Sequence, residues 1–182
     1  GYSKEGKVGP GLLRVASKVD PSWLYRWIKN PKGYLPTTRM PEFGFDEHDL
    51  QGVTAYILDA SDKEYKLNRT FEAGDEEKGK KLFETVGCQA CHTLNGKGEN
   101  HAPDLSNIAQ KVNADWLVTW IGGPHTYNPK SKMPDLRLDE DDATDIATYL
   151  IQFGKKEVIP GLEAKLKDPA LIKHGESVVR KR

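Results

Sequence analysis

Apolar residues recur at helical spacing in two similar stretches of this 182-residue chain. Because residues three and four apart share one face of a helix, each stretch predicts a short amphipathic helix with an aromatic face. These faces consist of Trp23, Leu24, Trp27 and Ile28 in the first helix, and of Trp116, Leu117, Trp120 and Ile121 in the second. Residues typical of helix starts and ends flank both helices, at Asp20-Pro21, Asn113-Ala114, Asn30-Pro31 and Gly123-Pro124.

A longer helix is predicted after each aromatic helix. Asp46 and Asp139 are suitable N-cap residues, and the helices that they open are expected to end near Ala60 and Phe153. No convincing pair of strands occurs anywhere in the sequence. The predicted fold class is therefore all-α.

Two further segments predict helices that resemble each other. In residues 74–87 the apolar side chains Leu82, Phe83 and Val86 share one helical face. Residues 168–182 show a similar pattern, in which Gly175 aligns with Gly79.

The chain repeats itself at an offset of 93 residues, since residues 8–57 match residues 101–150 without a gap. The chain has two methionines, Met40 and Met133, and they fall at matching positions. The other identities include Pro10 with Pro103, Trp23 with Trp116, Trp27 with Trp120, Tyr34 with Tyr127, and Tyr56 with Tyr149. A fixed period of this kind indicates a duplicated structural unit.

Both cysteines lie in the segment GCQACHT, residues 87–93, which occurs once. Cys-x-x-Cys-His is the attachment sequence of a c-type haem. The spacing suits that chemistry because two thiols must reach two vinyl groups on one porphyrin edge while the adjacent histidine reaches the iron. Cys88 and Cys91 are therefore predicted to form thioethers, and His92 is predicted to be the proximal ligand.

Three alternatives compete for the cysteine pair. A zinc site would need a second pair of Cys or His residues at ligand spacing, and none is evident. A thioredoxin-like redox pair is expected in a βαβ context, which this sequence lacks. A disulfide across two intervening residues would be strained.

Met133 is the predicted second axial ligand. It lies 41 residues beyond His92, which leaves enough chain to reach the opposite face of a haem, and His/Met is an established haem c pair. Buried methionine more often fills a core. His101 and His125 are the competing ligands, although their loop positions favour solvated surface.

Several of these segments resemble the class I cytochromes c. The stretch NPKGYLPTTRMPEF, residues 30–43, is similar to the methionine-ligand loop of that family. Residues 55–57 and 148–150, AYI and TYL, resemble its C-terminal helix. The resemblance covers residues 74–153 as one complete domain. It covers residues 1–60 as the part of a domain that follows its haem motif.

The resemblance implies further residues of a haem site. Pro103, and Pro10 in the partial unit, match the proline whose carbonyl accepts a hydrogen bond from the proximal histidine. Leu105 matches a haem-packing position. Trp120 or Tyr127 is expected either to reach a haem propionate or to belong to the core.

The domain boundaries that we predict follow from the repeat. Residues 1–62 are predicted to be a cytochrome c domain that lacks its N-terminal helix and haem motif, and residues 63–73 a linker. Residues 74–155 are predicted to be a complete domain. Residues 156–182 are predicted to be a linker followed by the N-terminal helix of a further domain, or of the same split domain. The sequence resembles a slice cut at two further haem segments.

A split domain has a structural consequence. We expect helix 168–182 to dock on the helix that starts near Asp46, so that Met40 faces a second haem held by cysteines outside this sequence. The alternative is that residues 1–60 are a haem-less accessory unit.

The predicted function is electron transfer by haem c, because a haem with both axial positions filled has no open site for a substrate. The chain would be an electron carrier, as a segment or subunit of a dihaem or multihaem respiratory cytochrome. The alternative is a dihaem cytochrome c peroxidase or a haem-bearing subunit of a larger redox enzyme, which requires an open distal site. The matched Met40 and Met133 argue against an open site.

Composition and family together suggest where the protein acts and with what partners. A formal net charge of zero disfavours a nucleic-acid partner, and no apolar run is long enough to span a bilayer. The resemblance implies a redox donor and acceptor, including a membrane respiratory complex. It also implies a periplasmic or otherwise extracytoplasmic location, on the outer side of an energy-transducing membrane.

Overall fold

Residues 11–181 of the protein are described by a computed structural model. Helices and loops form this part of the chain, which confirms the predicted all-α class, and no helix in it is long and apolar enough to cross a bilayer. The helices in chain order are α1 Val15–Lys18, α2 Pro21–Lys29, α3 Pro31–Tyr34, α4 Glu47–Asp59, α5 Glu76–Thr85, α6 Ile108–Lys111, α7 Ala114–Gly122, α8 Pro124–Tyr127, α9 Glu140–Leu150, α10 Leu162–Lys165 and α11 Pro169–Lys181.

The predicted N-caps begin most of the predicted helices. The carboxylates of Asp46 and Asp139 accept hydrogen bonds from the main-chain N–H groups of Asp49 and Asp142, at 2.8 and 2.7 Å. Each bond satisfies a donor that the first turn of a helix leaves unpaired. Asn113 differs from this pattern. Its side chain does not cap α7, and its Nδ2 lies 3.5 Å from the Ser17 carbonyl instead.

Helix α9 ends at Leu150, three residues before the predicted Phe153. The N–H groups of Gln152 and Phe153 donate to the carbonyls three residues earlier, Tyr149 and Leu150, at 3.3 and 3.1 Å, so the chain leaves the α-helical bonding pattern here. Gly154 follows with a φ of +94°, in the region that favours glycine.

The described chain divides into two compact units. Unit 1 contains residues 11–16, 25–65 and 161–181, and unit 2 contains residues 17–24 and 66–160. Residues 66–73, which we predicted as linker, contribute Leu67 and Phe71 to the margin of the unit 2 core. Whether each unit is a cytochrome c domain with the predicted boundaries remains a prediction.

Unit 2 is built on the crossing of α5 and α9. A Cβ atom on Gly79 would overlap the main-chain carbonyl of Asp145, so glycine permits the two backbones to approach this closely. Lys78 bridges the crossing, since its Nζ lies 2.9 Å from an Asp142 carboxylate oxygen and 2.8 Å from one of Asp145. Phe83 on α5 is completely buried in the core beneath.

Unit 1 contains a matching crossing of α4 and α11. A Cβ atom on Gly175 would overlap the carbonyl of Gly52, which is the residue 93 positions before Asp145. His174 occupies the position that matches Lys78, and its Nε2 lies 2.8 Å from Asp49, which matches Asp142. Both units therefore cross two helices over a glycine and bridge them at equivalent positions.

Alanine at Gly79 or Gly175 is expected to destabilise the unit that contains it. The new Cβ would overlap a main-chain carbonyl, and overpacking of this kind costs about 1–3 kcal/mol. This loss opposes a gain of up to about 1 kcal/mol that alanine gives over glycine in a helix. Urea unfolding followed by circular dichroism measures the net change.

Gly11→Ala serves as the control, because a Cβ there would meet no atom within 4 Å. If Gly79→Ala and Gly175→Ala unfold at the same urea concentration as the control, the helices do not approach as closely at these glycines as described.

Candidate haem site

The cysteines and His92 lie on a single tight turn that follows α5. Gly87 has a φ of +101°, and this left-handed conformation turns the chain out of the helix into the 3-10 turn Cys88–Ala90. The carbonyl of Cys88 then accepts hydrogen bonds from the main-chain N–H groups of Cys91 and His92, at 3.2 and 2.9 Å. Three reactive side chains are thereby brought into one short segment.

Both cysteines are free thiols in different surroundings. Cys88 packs against the unit 2 core, and burial raises the pKa of its thiol, whereas Cys91 is exposed. Redox-active cysteine pairs depend on a thiol whose pKa is lowered, so the raised pKa of Cys88 does not favour the thioredoxin-like alternative. Within residues 11–181, no three His, Cys, Asp or Glu side chains come together as a metal-binding group.

A main-chain carbonyl orients the His92 ring. Nδ1 of His92 lies 2.7 Å from the Pro103 carbonyl oxygen. Because a carbonyl can only accept, Nδ1 carries the proton and Nε2 presents its lone pair for a metal. The loop that supplies Pro103 is tied to the turn by two hydrogen bonds, from Ala102 N–H to the Cys91 carbonyl and from Leu105 N–H to the Thr93 carbonyl, at 2.8 and 2.9 Å.

The Met133 thioether is held by a tryptophan. The indole Nε1–H of Trp120 donates to Met133 Sδ at 3.0 Å, and the Met133 N–H donates to Ser131 Oγ at 3.1 Å. The sequence led us to expect Trp120 or Tyr127 at a propionate or in the core. In the structure the Trp120 indole is directed at the sulfur, and the Tyr127 hydroxyl lies 3.3 Å from Ser17 Oγ.

The remaining predicted residues differ in where they lie. Leu105 is buried in the unit 2 core, and the competing ligands His101 and His125 are exposed. Met40 belongs to unit 1. Pro10 lies outside the described residues.

Lys18 is a residue of this region that the sequence did not indicate. Its Nζ lies 4.4 Å from the ring centroid of Trp116 and 5.8 Å from that of Trp120. Trp116 and Trp120 stack on each other with centroids 5.1 Å apart, and Tyr127 meets both edge-on. The signal that could have marked it is the repeat, because Lys18 matches Lys111, whose Nζ lies 5.0 Å from the centroid of Trp23.

Trp120, Tyr127 and Met133 form what we call the methionine side of this site. Unit 1 contains the matching residues Trp27, Tyr34 and Met40. Trp27 and Tyr34 meet edge-on with centroids 6.1 Å apart, compared with 6.0 Å for Trp120 and Tyr127 in unit 2. The Met40 N–H donates to Thr38 Oγ1 at 3.2 Å, as the Met133 N–H donates to the matching serine.

The donor set of unit 2 fits a covalently attached haem. Two free thiols suit thioether formation, the Nε2 lone pair of His92 suits an iron ligand, and the Met133 thioether is a known partner ligand. This set on a helical unit defines a class of protein, the c-type cytochromes.

Comparison with known proteins leads to the same class. The sequence profile of the family "Cytochrome c" matches residues 76–153. A cytochrome c from Cochliobolus lunatus is 33% identical over 107 residues, and the match covers 47% of this chain and 98% of that protein. The chain therefore belongs to the cytochrome c family. Membership implies a covalently bound haem c and a role in electron transfer.

Components of larger enzymes are also similar to the chain. A nitric oxide reductase subunit of Stutzerimonas stutzeri is 29% identical over 79 residues, which are 40% of this chain and 54% of that protein. The CcoP subunit of the cbb3-type cytochrome c oxidase of Helicobacter pylori is 37% identical over 59 residues, which are 32% of this chain and 19% of CcoP. The chain thus spans about half of the first relative and a fifth of the second. No solved structure matches it.

Proposed function

We propose that the chain carries electrons through a haem c attached to Cys88 and Cys91, with His92 and Met133 as axial ligands. The observation that carries the proposal is the 2.7 Å contact between His92 Nδ1 and the Pro103 carbonyl, on the same turn as two free thiols. It leaves Nε2 as the available ring nitrogen, which is what an iron ligand requires. When bound, haem c supplies the one-electron chemistry.

Met133 favours a carrier over an enzyme. Two hydrogen bonds hold this residue, one to its sulfur from Trp120 and one from its N–H to Ser131, so the thioether is pre-oriented. A held second ligand closes the position at which a peroxidase would bind its substrate. Met133 also raises the reduction potential relative to a second histidine.

The relatives suggest the setting in which the chain works. Its matches include subunits of a nitric oxide reductase and of a cbb3-type cytochrome c oxidase, which are redox enzymes by their names. We infer that this chain exchanges electrons with a redox donor and an acceptor of a membrane respiratory complex. A periplasmic or otherwise extracytoplasmic location goes with this role.

We also propose that unit 1 forms the methionine side of a second haem site, with Met40 as its ligand. The Trp27–Tyr34 pair, the Met40 loop and the α4–α11 crossing match their counterparts in unit 2. Leu35 and Phe43 flank Met40 in sequence and remain 43% and 38% exposed. Large apolar side chains that are exposed beside a matched ligand suit a flat apolar cofactor.

Haem should remain on the protein after acid-acetone extraction, with one haem per chain. Thioethers at Cys88 and Cys91 resist this treatment, whereas a coordinated but unattached haem is extracted. Intact mass and pyridine haemochrome absorbance together give the stoichiometry. The Cys88→Ala and Cys91→Ala double variant is the control, and it should release its haem. Release from the unaltered chain would refute attachment.

Met133→Ala is expected to abolish the sulfur-to-iron charge-transfer band of the oxidised protein and to lower the reduction potential. Met40→Ala is the matched control, because it removes the same side chain from the same loop in unit 1. It should leave the band of the attached haem unchanged. If the band persists in Met133→Ala, the ligand is a different group, and His101 and His125 are then tested in turn.

Haemin added to the chain that already holds its attached haem should bind as one further equivalent. Met40→Ala is expected to weaken this binding about tenfold, the loss that follows from about 1.4 kcal/mol of ligand interaction. Met133→Ala should leave the affinity unchanged. Absorbance titration in the Soret region measures it. Equal affinity in all three proteins would refute Met40 as a ligand, and failure of the unaltered protein to bind a further equivalent would support the haem-less accessory unit.

A further inference from the structure

Lys18 places a positive charge behind the aromatic residues of the methionine side. Its ammonium lies over Trp116 at 4.4 Å from the ring centroid, within the range of a cation–π interaction. The backbone at Lys18 is fixed, because its carbonyl accepts a hydrogen bond from the Asn113 N–H at 2.9 Å. The Asp20 N–H also donates to the Lys111 carbonyl at 2.9 Å, so two main-chain hydrogen bonds hold residues 18–20 beside residues 111–113.

The ammonium forms no ion pair within residues 11–181. The charged group that acts on it is Lys111, which carries the same sign, and burial with this neighbour lowers the pKa of Lys18 to about 8. The pKa of Lys111 is itself lowered by burial. Asp20, two residues from Lys18, is engaged elsewhere, since it caps α2 and lies 3.9 Å from Lys156 Nζ. Within residues 11–181, the favourable contacts of this charge are with the ring faces of Trp116 and Trp120.

A short chain of contacts joins Lys18 to Met133. Trp116 and Trp120 stack with an interplanar angle of 21°, and Lys18 Nζ is 5.8 Å from the Trp120 centroid. The Trp120 N–H in turn donates to Met133 Sδ at 3.0 Å. A cation on the face of an indole makes its N–H a stronger donor, which draws electron density from the sulfur. Through space, the same charge also attracts an electron that is added at the site.

We propose that Lys18 sets the reduction potential of the haem site, because its charge over the Trp116–Trp120 stack favours the reduced state. The proposal rests on the Met133 ligation proposed above. Lys18 contacts neither ligand and acts through Trp120 and through the electric field. The electron comes from the donor protein. Where Lys18 is partly neutral, reduction is accompanied by uptake of a fraction of a proton from solvent onto Lys18, and oxidation releases it.

The test compares Lys18→Met with Lys18→Arg by redox titration. Removal of the charge in Lys18→Met should lower the equilibrium constant for reduction about tenfold at pH 7, as expected for one unit charge in a partly buried setting. For a one-electron couple, tenfold corresponds to about 59 mV. Lys18→Arg keeps the charge and should retain the potential of the unaltered protein.

The pH profile separates an electrostatic role from a structural one. Between pH 7 and 9.5 the potential of the unaltered protein should fall as Lys18 loses its proton. Lys18→Arg should lack this component, because arginine stays protonated throughout this range. Should Lys18→Met not fold, this comparison still decides the question.

Lys111→Met is the matched control, since it removes the equivalent lysine, whose Nζ lies over Trp23 at 5.0 Å from the ring centroid. It should shift the potential at pH 7 by less than half as much as Lys18→Met. It should also move the fall in potential that accompanies loss of the Lys18 proton to higher pH, because Lys18 loses a like-charged neighbour.

The sulfur-to-iron band distinguishes the two possible failures. If the unaltered protein lacks this band, the proposed Met133 ligation is wrong. If all variants show the band but Lys18→Met has the potential and pH profile of the unaltered protein, the role of Lys18 is wrong.

Discussion

The close crossing of α5 and α9 is the contact on which the rest of unit 2 depends. The attachment turn follows α5 directly, and the segment that contains Met133 leads into α9, so this one contact determines where the turn begins and where the Met133 segment ends. Gly79 permits it, because any larger residue would meet the Asp145 carbonyl. Burial raises the pKa of the Asp145 carboxyl, but hydrogen bonds from Lys78 and from the Asp75 N–H outweigh this and lower it overall. The buried charge is thus paired, as it must be to be tolerated.

The duplicated unit shows which parts of this arrangement depend on residue type and which on position. Lys78 and Asp142 in unit 2 correspond to His174 and Asp49 in unit 1, so a nitrogen-bearing side chain and an acid are kept while the nitrogen-bearing residue differs. The glycine that permits the crossing is kept without change, at Gly175. Where two backbones come this close, only glycine fits without overlap. A polar contact at the helix surface can be made by more than one type of residue, because partly exposed pairs contribute little stability.

The sequence predicts the long helices because their caps depend on local chemistry. Asp46 and Asp139 cap their helices through bonds that span three residues. The short helices α3 and α8 were expected to be loops, but proline suits the first position of a helix as well as the end of the preceding one. The direction of the Trp120 indole could not be predicted, since helical spacing gives a face and not the partner of a side chain. Lys18 was missed because lysine is ordinarily solvated.

In unit 2, geometry and charge are controlled by different residues. The groups that hold the two proposed ligands are neutral, namely the Pro103 carbonyl on His92 and the Trp120 indole on Met133. Directional hydrogen bonds of this kind fix an orientation without adding a net charge beside the site. Lys18 places its charge 5.8 Å from the centroid of the Trp120 ring, so Trp120 lies between it and the Met133 sulfur to which the indole donates. A substitution at Lys18 is therefore expected to change the electric field at the site while His92 and Met133 keep their positions. The proposed adjustment of the potential is thus independent of the proposed ligation.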